Sequence, residues 1–384
     1  MVTMREDAVQ FARYLRSRCQ VLVAGGPLPS SDPAPYLNDF EVVVVGEGER
    51  TMLEVVRAYE GSRSIESISG IAYRRNHHGA KTDIVFTNPR VPEADLDSIA
   101  FPARELLPND QYIQSWRKKR GMATTSIITT RGCPFSCEFC SNAVFGVSYR
   151  QRSPSNVIDE VEQVLALGYG RVHFADDVFT LRKDRLLSIT DEIRSRGLRF
   201  EWECLCRVDS LDMETARSMR EAGCERVFFG IESASESMLR IMRKNITVED
   251  ARTAVHIARQ AGIETGAFFI LGYPGDTDAT ILETVRFASS LPLDYLSFTM
   301  PYPIPGTALF ERIRQRITQE WSPRGGLFSE HHLTFQSDFS ESKLKFAILK
   351  GKIQFRMRKT FGRPGFLVTM PFEFISDVVF RLMK

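Results

Sequence analysis

The sequence predicts an α/β fold in which a partial barrel of six β/α units follows a short doubly wound segment and precedes a mostly helical tail. Three observations predict it. From residue 124 onward, short apolar strands alternate with amphipathic helices about every 30 residues, which is typical of a parallel barrel. Before residue 50, two β-branched runs end at glycines, as buried parallel strands do. Beyond residue 311, the apolar spacing is mostly helical.

We therefore expect four regions along the chain. They are a partial α/β segment over 1–60, a connector over 61–122, the barrel over 123–310 and a helical C-terminal region over 311–384. The net charge of +2 is too small to indicate nucleic-acid binding by itself. The first residues lack the order of a secretory signal, and no apolar run reaches the roughly 18–20 residues that cross a bilayer. We therefore expect a cytoplasmic protein, in which clustered cysteines indicate metal binding or catalysis rather than disulfides.

The elements follow in chain order. The first region holds the helix AVQFARYLRSR, the strands VLVAGG and FEVVVVGEGE and the helix MLEVVRAYE, and the connector adds the strand-like pieces GIAYRR and DIVFTN. The six barrel strands are SIITT, RVHFADD, RFEWECLCR, RVFFGIES, ETGAFFILGYPG and YLSFTMPYPIPG. Helices separate them, such as NVIDEVEQVLALG with Val157, Val161, Val164 and Leu165 on one face. Because sites in parallel barrels form where the strands end, we expect the residues after these strands to carry the function.

Three of the seven cysteines, Cys133, Cys137 and Cys140, fall in the loop after the first barrel strand, RGCPFSCEFCSN. Three thiolates can hold three irons of a cubane cluster and leave the fourth iron open, whereas clusters that only transfer electrons normally take four cysteines. The loop therefore predicts a cluster at which another molecule binds. The alternative is a zinc site of three cysteines and a histidine, although no histidine lies near the loop along the chain.

The other four cysteines are Cys19, Cys204, Cys206 and Cys224. Cysteine is often a small buried hydrophobic residue, so we expect packing roles for all four. Cys204 and Cys206 lie two residues apart on one strand and should share a face. A redox or substrate role for either of these two is the alternative.

The C-x3-C-x2-C spacing, with Phe139 before the last cysteine, resembles the radical S-adenosylmethionine (radical SAM) superfamily. The resemblance implies that the three cysteines hold a 4Fe-4S cluster and that the amino and carboxylate groups of SAM chelate the fourth iron. It also implies a reducing partner such as flavodoxin or ferredoxin. One electron then cleaves SAM to methionine and a 5′-deoxyadenosyl radical, which abstracts hydrogen from an unactivated carbon.

Other strand ends extend the resemblance, and it implies SAM contacts for residues in four of them. The contacts are Asp176 and Asp177 with the amino group, Arg207 with the carboxylate, Glu232 and Ser233 with the ribose, and Ile270, Leu271 and Gly272 with the adenine, while Phe139 adds a contact from the cysteine loop. Several have a structural alternative. The aspartates could cap the next helix, a role for which Thr180 competes. Arg207 could pair with Glu203 or another barrel acid, and the apolar residues could be barrel core. Glu232, Ser233 and Phe139 carry no such alternative.

The segment before the barrel resembles the subgroup that carries an N-terminal cobalamin-binding domain. The resemblance implies a truncated, Rossmann-like segment in which Gly25 and Gly26 face the cobalamin tail. The chain starts where such a domain would be half complete, and a sheet of the two remaining strands makes a poor independent domain. We expect an upstream start, a fragment or a decayed domain, and this leaves cobalamin binding open.

The tail fits the same subgroup, since RKTFGRPGFL resembles the C-terminal region of enzymes that include natural-product methylases and an anaerobic ring cyclase. Residues 343–363 contain eight Lys or Arg and no acidic residue. They could cover the barrel mouth, receive an anionic substrate or lie on a membrane surface. We favour a helix that packs on the barrel with a solvated basic face, followed by a docked helix at FLVTMPFEFISDVVFRLM.

The function that follows is a radical SAM enzyme that modifies an unactivated carbon of a specialised metabolite or lipid, by methyl transfer if cobalamin binds. Cyclisation, oxidation or rearrangement without cobalamin is the alternative within the same chemistry. A cluster-binding relic or partner subunit without turnover is the non-enzymatic alternative. Nucleic-acid modification is weaker, because no RNA-binding module is visible.

Overall fold

The computed structural model describes residues 5–75, 83–318, 332–361 and 365–383 of the chain. Residues 362 and 363 of the basic stretch 343–363 therefore lie outside the described residues. The strands are β1 Val23–Ala24, β2 Val42–Val44, β3 Ile71–Arg75, β4 Asp83–Phe86, β5 Thr124–Ile127, β6 Thr130–Arg131, β7 Arg150–Gln151, β8 Arg171–Phe174, β9 Glu201–Cys206, β10 Cys224–Glu232, β11 Glu264–Ile270 and β12 Tyr295–Thr299. The α-helices are α1 Arg5–Leu15, α2 Pro27–Ser31, α3 Glu49–Tyr59, α4 Asn109–Arg120, α5 Pro154–Ala166, α6 Lys183–Ser195, α7 Met213–Glu221, α8 Glu236–Ile241, α9 Val248–Gln260, α10 Asp278–Ser290, α11 Ala308–Ile313, α12 Glu341–Phe361 and α13 Gly365–Leu382.

The chain forms two compact units, each built from three separate segments. The first unit consists of Met1–Ala94, Gly132–Ser148 and Tyr302–Gln336, and the second of Asp95–Arg131, Tyr149–Pro301 and Ser337–Lys384. The cysteine loop belongs to the first unit, although β6 before it and β7 after it belong to the second. The division into four consecutive regions stays a prediction.

The sheet of the first unit has four strands in the order β1-β2-β3-β4, where the sequence predicted two. β1 and β2 are parallel, and the two pieces expected in the connector join them as antiparallel strands, with Val43 opposite Ala72. Side chains of β3 alternate between two apolar cores, because Ala72 packs with Leu28 and Tyr36 while Ile71 packs with α3. The added strands thus supply sheet area and core that two strands lack.

The sheet of the second unit has the predicted six parallel strands, in the order β12-β11-β10-β9-β8-β5. Helices α5, α6, α7, α9 and α10 follow strands along the chain, so the alternation read from the sequence is confirmed. Helix α5 buries Val157, Val161 and Val164 against the unit, while Leu165 is only partly buried. The carboxyl ends of these strands consequently lie along one edge of the sheet.

The cysteines outside the loop are packing residues with one exception. Cys204, Cys206 and Cys224 are buried, and the sulfurs of Cys204 and Cys206 lie 3.6 Å apart on one face of β9, as alternation predicts. Burial raises the pKa of Cys204, so its thiol stays neutral. The packing prediction is wrong for Cys19, which is exposed after α1.

The tail is helical, as predicted, and α12 packs on α10 and α13. The prediction of a solvated basic face is wrong for much of α12, because five of its cations pair with carboxylates. The pairs are Lys343–Asp278, Lys345–Glu341, Lys350–Asp377, Arg358–Glu373 and Lys359–Asp294. Four of the acids lie outside α12 and Glu341 begins it, and the basic run 343–363 alone shows none of them. None of the described helices combines the length and apolar character that a bilayer span requires.

We expect Lys350→Ala to destabilise the second unit by about 2–4 kcal/mol, because it opens a cavity and removes a buried cation. The Lys350 side chain is wholly buried, and its Nζ lies 2.9 Å from Oδ1 of Asp377. Lys352 is exposed on the same helix, so Lys352→Ala serves as the matched control and should stay within about 0.5 kcal/mol of wild type. Urea unfolding followed by circular dichroism measures both, and equal losses would contradict the buried pair.

Candidate functional site

The residues singled out in the second unit all lie where neighbouring strands of its sheet end. Asp176 and Asp177 follow β8, Arg207 follows β9, Glu232 ends β10 with Ser233 after it, and Ile270 ends β11 with Leu271 and Gly272 after it. Because β8, β9, β10 and β11 are adjacent and parallel, these residues share one edge of the sheet. The three loop cysteines and the glycine pair Gly25–Gly26 belong to the first unit.

The cysteine loop, Gly132–Ser148, is closed by backbone contacts. The amide of Cys133 donates to the carbonyl of Gly146 over 3.3 Å, and the amide of Cys140 donates to the carbonyl of Cys137 over 3.1 Å. Gly132 has φ of 85°, and a Cβ there would lie 2.1 Å from the carbonyl oxygen of Ser148. Only glycine therefore allows the two ends of the loop to approach so closely.

The donor set of this loop fits an iron–sulfur cluster. Cys133 and Cys137 are partly exposed, Cys140 is exposed, and none of the seven cysteines is in a disulfide. Within the described ranges, no three His, Cys, Asp or Glu side chains converge as they would around one metal ion. A cubane cluster needs its three cysteine sulfurs farther apart than a single metal ion does, because each thiolate bonds a different iron. Phe139, half-buried before the last cysteine, lies in the same loop.

Asp176 holds the chain just before this loop. Its carboxylate is 1% exposed and accepts hydrogen bonds from the amides of Thr129 and Thr130 at 2.6 and 3.0 Å, and from the Thr129 hydroxyl. Burial raises the pKa of Asp176, while these hydrogen bonds and Arg185 act in the opposite direction. The carboxylate thus fixes the connection from β5 to β6.

Asp177 faces solvent at the end of β8. Partial loss of solvation, together with the negative charge of Asp176, raises the pKa of Asp177. The capping alternative is wrong for both aspartates and for Thr180, because α6 begins after Arg182 without any side-chain cap. The Thr180 hydroxyl instead contacts that of Ser210 at 2.6 Å.

Glu232 is buried at a backbone irregularity. The pairing of β10 with β11 shifts register between Gly230 and Glu232, and Glu232 has φ of 72°, which is rare outside glycine. The Nζ of Lys244 lies 3.0 Å from its Oε1, and both side chains are nearly enclosed. Ser233 is buried, and its hydroxyl lies 3.2 Å from that of Thr284. Strained backbone that re-aims a buried charge is typical of functional sites.

Arg207 stabilises the backbone around Lys244, the partner of Glu232. Its guanidinium contacts Asp209 through two hydrogen bonds of 2.9 Å and donates to the Lys244 carbonyl at 3.1 Å. The alternative of an ion pair with a barrel acid is confirmed by Asp209, and the acid is not Glu203, which contacts Arg226 at 3.1 Å. Arg207 thereby connects the end of β9 to the turn that carries Lys244.

The end of β11 is fixed by Asp276. The amides of Gly272 and Tyr273 donate to its Oδ2 at 3.0 and 2.9 Å, and the Thr280 hydroxyl donates to Oδ1 at 2.7 Å. Burial raises the pKa of Asp276 to about 6. Ile270 and Leu271 are buried, as the core alternative predicted, and a Cβ on Gly272 would lie 2.4 Å from Leu344 of α12.

The glycine pair lines a cavity of about 510 Å³ within the first unit. Gly25 and Gly26 form one side, the loop after β2 with Gly46 another, and Val144 and Phe145 of the cysteine loop a third. The lining is mainly apolar, apart from Glu47 and Glu49. A ligand in this cavity would therefore contact the loop that carries the cysteines.

Three residues of these networks, Thr129, Lys244 and Asp276, were missed in the sequence. Asp276 had a signal, because an Asp after Pro-Gly with Thr four residues later is typical of a side chain that caps a turn. Lys244 had none, since its contact with Glu232 depends on the left-handed backbone of Arg243 and Asn245 on either side. Thr129 acts through its amide and hydroxyl, which no local pattern marks.

Comparison with known proteins gives a family and several relatives. Residues 127–288 match the sequence profile of the Radical SAM superfamily. A protein of Pyrococcus horikoshii named an uncharacterized methyltransferase is 36% identical over 296 residues, which are 76% of this chain and 62% of the relative. The anaerobic magnesium-protoporphyrin IX monomethyl ester cyclase of Cereibacter sphaeroides is 31% identical over 294 residues, 74% of this chain and 46% of the cyclase. The chain thus spans about half to two thirds of the length of these relatives.

A solved structure shares the fold. It is the radical SAM methyltransferase TsrM from Kitasatospora setae with cobalamin and a [4Fe-4S] cluster bound, with a TM-score of 0.67 and 23% identity. The alignment covers 81% of this chain and 61% of that one. At this identity the likeness is one of fold, and it agrees with the predicted fold class.

We expect Gly132→Ala to open the cysteine loop, because the left-handed φ costs about 1–2 kcal/mol and the new Cβ also meets a backbone oxygen. Gly146→Ala is the matched control, since Gly146 has φ of 69° but open space around its Cβ position. The rate at which a thiol reagent labels Cys133 and Cys137 reports the change. Labelling should accelerate far more in Gly132→Ala than in Gly146→Ala, and equal rates would contradict the close approach.

We expect Asp276 to make stability fall as pH rises. Its folded-state pKa of about 6 lies above the ordinary 3.8, so the folded protein binds the extra proton. The contribution is present in full below pH 4 and is lost as pH rises through about 6, by roughly 1–3 kcal/mol. Asp276→Asn should remove this slope, while Asp191→Asn, at an exposed position of α6, should keep it. Thermal unfolding from pH 4 to 8 measures it, and an unchanged slope in Asp276→Asn would contradict the assignment.

Proposed function

We propose that the chain, whose residues 127–288 match the Radical SAM superfamily, is an enzyme that cleaves SAM reductively with a 4Fe-4S cluster. Its reaction would modify an unactivated carbon of a specialised metabolite or lipid by methyl transfer. One observation carries the proposal. Within the matched residues, a closed loop presents three cysteines without a disulfide, and along the chain this loop follows β5, the first strand of a six-stranded parallel sheet, and the short strand β6.

Cys133, Cys137 and Cys140 would hold three irons of the cluster. When bound, the cluster supplies the electron that splits SAM into methionine and a 5′-deoxyadenosyl radical. The protein's part is to close the loop around the cluster, through Gly132, and to fix the chain before it, through Asp176. Asp176 accordingly acts as a positioning residue, and its exposed neighbour Asp177 is the better partner for the SAM amino group.

The remaining SAM contacts follow from the strand ends. Glu232 would accept from the ribose hydroxyls, because a carboxylate accepts without competing as a donor, and Lys244 holds it in place. Ser233 lies beside it, deeper in the protein. Arg207 has Asp209 and the Lys244 carbonyl as partners, so we assign it to positioning this corner rather than to the SAM carboxylate. Ile270, Leu271 and Gly272 would back the adenine, and Phe139 would cover SAM from the loop.

Methyl transfer needs a methyl carrier, and the cavity beside Gly25 and Gly26 supports cobalamin in that role. Its apolar lining suits part of a large cofactor, and Phe145 would bring that cofactor next to the cysteine loop. The Pyrococcus relative carries a methyltransferase name, and the TsrM structure contains cobalamin. Cyclisation, oxidation or rearrangement without cobalamin is the second candidate. The name of the 31% identical relative supports a cyclisation, and it does not bear on cobalamin.

The partners follow from this chemistry. We infer a small-molecule or lipid substrate and an electron donor of the flavodoxin or ferredoxin class. Membrane contact through 343–363 is the weaker reading, because the ion pairs of α12 direct most of its cations to carboxylates of the same unit.

We expect the triple variant Cys133→Ala, Cys137→Ala and Cys140→Ala to lose the cluster and all SAM cleavage, because the iron ligands are gone. Cys19→Ala, at an exposed cysteine outside the loop, is the control and should behave as wild type. Both are reconstituted anaerobically with iron and sulfide, reduced and given SAM with and without hydroxocobalamin. Iron content, the EPR spectrum and the nucleoside products are measured.

The products separate the candidate reactions. S-adenosylhomocysteine that forms only with hydroxocobalamin supports methyl transfer, whereas 5′-deoxyadenosine without it supports the cobalamin-independent reactions. A wild-type cluster that does not respond to SAM would contradict the proposed enzymatic activity and support the alternative of a cluster-binding relic or partner subunit without turnover. Iron retained by the triple variant would contradict the ligand assignment.

A further inference from the structure

Glu138 is the most enclosed residue between the first and last cysteines of the loop. Its side chain is about 6% exposed, while the cysteines and Phe139 around it are partly or fully exposed. A carboxylate is seldom buried in preference to an aromatic ring unless it has a partner. The burial of Glu138 therefore indicates a specific contact in the middle of the loop.

The partner in that contact is Arg312 of helix α11, which belongs to the same unit. Arg312 Nε lies 2.9 Å from Oε1 of Glu138, and its Nη2 donates to Oε2 at 2.9 Å, so the guanidinium binds the carboxylate through two parallel hydrogen bonds. The amide of Leu309 also donates to the Glu138 carbonyl at 2.9 Å. Paired hydrogen bonds of this kind fix direction as well as distance.

The helix is itself held firmly in the unit. Leu309 and Ile313 of α11 are buried on either side of Arg312 in the sequence. The Thr307 side chain caps the helix by accepting from the Phe310 amide at 3.2 Å. Arg312 thus projects from a helix that is fixed in the unit, and its contact with Glu138 restrains the chain next to Cys137.

The contact also sets charge. Glu138 lies beside the proposed ligand Cys137, and its buried negative charge would oppose the addition of an electron to a cluster there. Arg312 compensates part of this charge, because its guanidinium lies at hydrogen-bond distance from the buried carboxylate, while the 38% exposure of its own side chain lets solvent screen the rest. Removal of the guanidinium alone would take away this paired contact and its compensating charge while the carboxylate stays in the middle of the loop.

We propose that Arg312 is a positioning residue for the cysteine loop, which orders the segment Cys137–Cys140 and neutralises Glu138 so that the cluster is reduced more easily. The inference rests on the proposed function, since it concerns the cluster that this loop would hold. It assigns a role to a side chain more than 170 residues away from the cysteines along the chain.

The test compares Arg312→Met, Arg312→Lys, Glu138→Gln and the double variant Arg312→Met/Glu138→Gln with wild type. Arg314→Met is the matched control, because Arg314 directly follows α11 and is 70% exposed. Three readouts are taken: the labelling rate of Cys137 in the protein before reconstitution, the iron content after anaerobic reconstitution, and the midpoint potential of the cluster from EPR-monitored titration.

We expect Arg312→Met to raise the labelling rate of Cys137 about tenfold, in line with the loss of one charge-assisted paired contact. Its iron content should fall, and the potential of the remaining cluster should become more negative. Arg312→Lys keeps the charge without the paired geometry, so it should restore the potential but only part of the loop order. The double variant should regain the potential, because the charge of the Glu138 carboxylate is gone, and keep the fast labelling, because the paired contact is gone too.

The outcomes separate the two claims. A wild-type chain that forms no cluster contradicts the proposed function, whatever the variants do. A wild-type chain that forms one, with Arg312→Met equal to Arg314→Met in all three readouts, overturns the role of Arg312. If Arg312→Met does not fold, Arg312→Lys and Glu138→Gln decide, and wild-type labelling and potential in both would overturn the proposal.

Discussion

The parallel pairing of six strands is the constraint on which the second unit depends. Because every neighbour in the order β12-β11-β10-β9-β8-β5 runs the same way, all carboxyl ends reach one edge. The polar residues that follow these strands are thereby gathered without any special contact between them. The role of each residue then depends on its hydrogen-bond and ion-pair partners at that edge, and these partners cannot be predicted from the order of the strands.

The buried carboxylates of the candidate site are all stabilised by hydrogen bonds or by an opposite charge. Asp176 accepts from the chain before the cysteine loop, Asp276 accepts from the end of β11, and Glu232 pairs with Lys244. A charge taken out of water needs hydrogen bonds or an opposite charge, so each acid organises the backbone or side chain around it. Much of the acidity in this region therefore serves architecture, and of the acids that the sequence singled out at these strand ends Asp177 is the exposed one.

The sequence predicted what depends on local pattern. The six β/α units, the shared face of Cys204 and Cys206 and the helical tail follow from apolar periodicity, and the structure confirms them. It did not predict what depends on partners distant in the chain. The strands β3 and β4 were placed in a connector, because nothing in GIAYRR shows that it pairs with β2. Likewise, the sequence shows Lys350 only as one residue of a basic run, whereas the structure shows its ion pair with Asp377.

The route of the chain between its two units has a consequence for how such a protein is inherited. The polypeptide alternates between the units in six segments, and the cysteine loop is one of the short ones. No single crossover in the gene could exchange one unit for a homologue and leave the other whole. Because the six segments meet at five boundaries, exchange of one unit alone would need a crossover at each boundary, so the two units are passed on together far more readily than either one alone.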